Sequence, residues 1–113
     1  MTKNQKEQLV KDIKNLGFAG DGSPLTVEQA TRVVSLLFPV KACSFYMRRS
    51  NYGLKHIIER AVNHYCDNEV MKQALWNNGF ESIPAPGRAG NEFFNVCGVG
   101  RLNNLFQSSG TPL

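Results

Sequence analysis

No apolar run in this sequence approaches the roughly 18 residues that a membrane-spanning helix needs. The first residues, MTKNQKEQLVKDIKNLG, are charged and helical in pattern, without the apolar stretch of a signal peptide. Cys43, Cys66 and Cys97 are odd in number and lack CxxC spacing, which speaks against a secreted disulfide framework and fits a reducing cytoplasm. Repeats and low-complexity blocks are absent. The two histidines, His56 and His64, stand eight residues apart, about two helical turns and too far to share a metal ion. No carboxylate stands at a recognisable ligand spacing beside them, so neither a metal nor another cofactor is expected. Cys43 as a nucleophile would need a base and an oxyanion arrangement that the sequence does not identify, and small core thiols are the simpler account of all three cysteines. Gly98-Val99-Gly100 is too short for a phosphate loop. The expectation is a binding protein, not an enzyme.

What is present suffices for one small domain. The chain has 113 residues, 42% of them apolar, and a formal net charge of +4. Residues 1–38 hold five basic and four acidic residues, against eight and five in 39–113, so most of the excess lies in the C-terminal two-thirds. That is a mild lean towards polyanions. The domain is expected over residues 1–107, with SSGTPL (108–113) a flexible tail.

Apolar spacing places helices in order. Leu9, Ile13 and Leu16 make a narrow stripe on a helix from about Lys3 to Leu16, with Lys3–Glu7 at ion-pair spacing and Gly17 as the stop. Thr26 and Gln29 form a capping box ahead of a second helix, whose broad face (Val27, Ala30, Val33, Val34, Leu37, Phe38) ends at Pro39. Residues 40–49 read as a short strand or a helical turn. Ser50 or Asn51 opens a third helix through Tyr65, with Leu54, Ile57, Ile58, Ala61, Val62 and Tyr65 on one side and Lys55, Glu59, Arg60 and Asn63 on the other. Asp67 or Asn68 caps a fourth, with Val70, Met71, Ala74 and Leu75 inward and Asn78-Gly79 at its end. Phe80–Ile83 and Glu92–Val96 read as a hairpin around PAPGRAGN, with Arg88 near its tip.

The predicted fold is therefore α+β, mainly α, with about four helices and a C-terminal β-hairpin. Helix, turn, helix, hairpin is the order of a winged helix-turn-helix, whose second helix can enter a major groove. In that reading the helix over 68–78 exposes Glu69, Lys72, Gln73, Trp76 and Asn77. Gln73 and Asn77 can pair with adenine, and Lys72 can reach guanine or phosphate. Arg48, Arg49, Lys55 and Arg60 would contact the DNA backbone, and Arg88 would sit at the wing tip, which reaches phosphate or minor groove. Asp67 and Glu69 weigh against it, although both are ordinary residues for a helix start. His56 is expected at the surface and His64 partly packed. Core is the favoured place for Trp76, with a binding anchor as the alternative. Adjacent Phe93 and Phe94 must point to opposite sides of a strand.

Tyr52-Gly53-Leu54-Lys55-His56, then Asn68, Ala74, Gly79-Phe80 and Asn91 to Asn95, resemble a family of small uncharacterised proteins carried by phages, plasmids and integrated elements of bacteria. These share a SYGLKH-type helix start, a following helix ending in Gly and an aromatic, and a hairpin ending like N-x-x-F-N. The resemblance covers about residues 50–96; Asn51 stands where the family has serine. It implies a mobile-element or phage gene acting in a bacterial cytoplasm, with Lys55 and His56 as residues of a shared surface function. Two functions follow as expectations. One is a DNA-associated accessory or regulatory protein acting on double-stranded DNA, with no membrane partner. The other is a protein–protein inhibitor of a host defence complex, of the anti-CRISPR kind, that occupies a nucleic-acid-bound host protein.

Overall fold

The computed structural model describes residues 2–18, 22–38, 49–87 and 89–96. Among these residues, four helices and a small antiparallel sheet make an α+β fold that is mainly α, in the order α1 (Lys3–Asn15), α2 (Val27–Leu37), β1 (Arg49–Ser50), α3 (Asn51–Val62), α4 (Asn68–Asn77), β2 (Ser82–Pro84) and β3 (Glu92–Phe94). Residues 40–48, all of the ambiguous segment except Arg49 and including Cys43 and Arg48, lie outside the described residues, as do Cys97, Arg88 and the tail.

Local chemistry sets the helix ends where the sequence places them. Thr2 and Gln5 form a capping box at α1, and Thr26 and Gln29 do the same at α2. Ser50 caps α3 through the Gly53 amide, and Asp67 caps α4 through the Glu69 amide. Gly17 and Gly79 follow α1 and α4 with positive φ, the conformation that leaves glycine unpenalised.

One helix end departs from expectation. The third helix stops at Val62, because Asn63 turns left-handed at φ 56° and ψ 46°. Tyr65 consequently leaves the core side of α3 and becomes exposed, at 49%. The chain after Asn63 instead bonds to the segment before α2. Gly22 N–H donates to Asn63 O (3.2 Å), and Leu25 N–H donates to Tyr65 O (2.8 Å). His64 is buried beside them, with Nδ1 2.8 Å from the Ser23 carbonyl and its ring edge-on to Phe18.

The expected two-stranded hairpin is three-stranded. β3 lies in the middle, paired antiparallel with β2 (Ser82 opposite Phe94, Ile83 opposite Phe93) and with β1 (Arg49 opposite Phe94, Ser50 opposite Phe93). Alternation along β3 buries Phe94 fully and leaves Phe93 half-buried. The core joins Ala30, Val33, Val34 and Leu37 of α2 to Leu54, Ile57, Ile58 and Ala61 of α3. Met71, Ala74 and Leu75 of α4, with Phe80, Phe94 and Val96, complete it. α2 is the helix on which α4 principally rests.

Candidate functional site

The helical period divides α4 cleanly. Met71, Ala74 and Leu75 are buried, while Glu69, Gln73, Trp76 and Asn77 form one exposed strip. Contacts along both edges fix how far that strip extends. On the α2 side, Asn77 Nδ2 donates to Thr31 Oγ1 (3.2 Å), and Asn78 Nδ2 donates to the Thr31 carbonyl (3.0 Å). On the hairpin side, Trp76 Nε1 donates to Ser82 Oγ (3.0 Å), which donates to Glu92 Oε1 (2.8 Å). Gln73 Nε2 donates to Asn77 Oδ1 (2.8 Å), so the two amides facing solvent also hold each other.

Lys72 does not belong to this strip. It was expected at the surface, yet only 7% of it is exposed. Its ammonium donates to the Gly90 carbonyl at 2.7 Å and pairs with Glu69 at 3.0 Å. The correction has a simple cause: the residue lies on the α4 edge that meets the hairpin loop, and its long stem is covered there. Lys72 is a strut between α4 and the loop over residues 85–91. Trp76 also differs from the core placement that was favoured, since 40% of it is exposed and its ring meets buried Phe94 at 5.8 Å between centroids.

Asn51 completes the joint between helices and hairpin. The residue is fully buried; its Oδ1 accepts from Glu92 N–H (2.8 Å), while Nδ2 donates to Asn91 Oδ1 (3.2 Å) and Asn68 Oδ1 (3.4 Å). Sequence reading took Asn51 only as a possible cap. The signal that it does more lies forty residues away, in the asparagine ahead of β3.

The SYGLKH-like residues form a second cluster on α3. Lys55, placed on the exposed side by its spacing, is 7% exposed. Its Nζ lies 4.9 Å from the Tyr65 ring centroid, 5.6 Å from that of Tyr52, and 3.7 Å from Glu59 Oε2. The aromatic faces and the carboxylate together account for its burial. His56 is at the surface as expected, edge-on to Tyr52, with Nδ1 3.0 Å from Glu59 Oε1. The other Glu59 oxygen accepts from the Cys66 amide at 2.8 Å, so one carboxylate ties α3 to the turn before α4. Cys66 is buried, and burial, followed by the Glu59 charge, pushes its thiol up from 9.0 to about 12. A thiol so shifted stays protonated and is a poor nucleophile.

Arg49 and Arg60 are half-buried, and the Nε atom of Arg49 is buried without a hydrogen-bond partner. An open cleft of about 590 Å³ lies elsewhere, between the end of α1, the outer side of α2 and Asn78, with Arg32 on its wall and Leu16 and Leu36 among its apolar residues. Among the described residues no group of three histidine, cysteine or acidic side chains is placed to hold a metal ion, and no helix is long and apolar enough to cross a membrane.

Of the residues singled out by sequence, the structure brings Gln73, Trp76 and Asn77 together on one strip. Lys55 and His56 share the other cluster, while Lys72 is withdrawn into the helix–hairpin joint. Comparison with protein-family models, with curated proteins and with solved structures finds no match to this chain.

Proposed function

We propose that this chain is a small DNA-associated accessory protein of a phage or mobile element, acting in a bacterial cytoplasm through the exposed strip of α4 and the adjoining hairpin. The observation that carries the reading is the rigid coupling of these two parts. Lys72 bonds the loop, Asn51 bonds the strand, and Trp76 bonds Ser82, so helix and hairpin present themselves as one unit. A winged helix-turn-helix needs that coupling, because a helix in the major groove and a hairpin on the backbone must hold one register. Gln73 and Asn77 carry the carboxamides suited to adenine, Trp76 marks the hairpin edge of the strip, and Arg88 belongs to the loop sequence. The mobile-element setting follows from the SYGLKH-type resemblance over residues 50–96.

A second reading has its own support. Among the described residues of α4, the single lysine is tied to Gly90 and Glu69, so the strip offers no free cation, while Tyr52, Trp76 and Ile83 are 45%, 40% and 42% exposed. Exposed aromatics with little charge suit a protein partner, as in an inhibitor of a host defence complex.

Binding to about three helical turns of mixed-sequence duplex, titrated in salt, separates the two. The DNA reading expects affinity that falls steeply with salt. It also expects a loss of about tenfold or more in Gln73→Glu/Asn77→Asp, which keeps side-chain shape and places carboxylates against the duplex. Absence of binding at low salt removes DNA as the direct partner and leaves the inhibitor reading.

A further inference from the structure

Among the described residues, the lysines that the fold leaves free are on α1. Lys3, Lys6, Lys11 and Lys14 are all exposed, and among the described residues none of them meets a carboxylate within ion-pair distance. Lys3 and Glu7 stand at the spacing expected to pair and do not. Lys55 and Lys72, by contrast, are buried and neutralised by Glu59 and Glu69. The free lysine charge of the described chain therefore lies away from α3 and α4, where the spacing of residues placed it.

We infer that the lysine face of α1 is a contact surface for the phosphate backbone of nucleic acid, separate from the α4 strip; the inference rests on the DNA reading above. At 100° per residue the four lysines fall within one arc of the helix, with Glu7 among them, and the arc keeps a net positive charge. Lys3 to Lys14 spans about 16 Å of helix, the axial length of about five base pairs, enough to meet several successive phosphates. Flexible ammonium groups suit phosphates, which need charge and no fixed geometry, and they carry no base preference. The apolar stripe argues against a bilayer as the occupant. Ile13 is buried, and Leu9 and Leu16 pack against the core, so α1 has no free apolar face to insert.

The test is the salt dependence of duplex binding by the full chain and by Lys3→Gln/Lys6→Gln/Lys11→Gln/Lys14→Gln. Gln and Lys have similar helix propensity, and unchanged far-ultraviolet circular dichroism confirms that α1 persists. Each phosphate neutralised contributes about 0.9 to the slope of log K against log salt, so the quadruple variant should lose about 2–4 from that slope, and the corresponding quadruple Lys→Arg variant should keep it. A wild-type protein that binds with a steep slope, and a Gln variant that keeps it, would overturn the α1 assignment and leave the α4 reading standing. Failure of wild type to bind duplex at low salt would overturn both. Binding of wild type to polyglutamate as tightly as to duplex at equal salt would assign the face to an acidic polypeptide instead.

Discussion

Asn51 is fully buried, and both ends of its carboxamide are used, on an amide of β3 and on two asparagine side chains. Removing it takes the acceptor from the half-buried Glu92 N–H and leaves a small void. Asn51→Ala should cost about 2–3 kcal/mol of unfolding free energy, read from the midpoint in urea at constant m value. At Cys66 the contribution to stability depends on pH. The folded thiol titrates near 12 against 9.0 when unfolded, so the folded state holds the extra proton between those values. Its contribution to stability is complete below pH 9.0 and is lost as pH rises towards 12. With Cys43 and Cys97 replaced by serine, Cys66 should resist iodoacetamide at pH 8 while folded and react when unfolded. Rapid labelling of the native protein would contradict the burial described here.

Between elements, the informative contact is the one from α4 to the hairpin loop. Lys72→Met keeps the stem of the side chain and deletes the ammonium, so the Gly90 carbonyl loses its donor while exposed Glu69 returns to water. The expected cost is about 1–3 kcal/mol, with faster amide hydrogen exchange at Ala85, whose N–H bonds the Asn91 carbonyl across the loop. Unchanged exchange there would mean that the strut does not hold the loop. Thr26→Ala removes the Oγ1 acceptor at the start of α2, the helix on which α4 rests, and should cost about 1 kcal/mol, measured in the same urea titration. Helix ends of this kind were legible in the sequence because cap and capped amide lie three residues apart. The β1–β3 pairing was not, since two residues at Arg49–Ser50 have no pattern of their own and are defined by a partner more than forty positions away.

For the whole molecule, where charge resides decides what it can touch. A formal charge of +4 leaned towards polyanions, and spacing alone put the useful lysines on the third and fourth helices. In the folded chain Lys55 and Lys72 are internal, and among the described residues the exposed, unpaired lysines are those of α1. Duplex affinity should therefore respond more to the α1 lysines than to the α3 and α4 lysines, once Lys55→Met and Lys72→Met are compared at matched stability. A larger loss from Lys55→Met would return the phosphate contact to α3. The sequence by itself determined the helices of the described residues, the caps that open α2, α3 and α4, the glycine stops, most of the apolar faces and the α+β class, because each is written in residues within one or two turns of each other. Only the tertiary structure decided that Lys72 is a strut, that Lys55 sits against two tyrosines and Glu59, that Asn51 joins helix to sheet, and that Tyr65 and Trp76 are exposed. The reason is physical: a polar side chain is drawn inward only where a distant acceptor or ring meets it, and residue spacing along one helix cannot report where that partner will be.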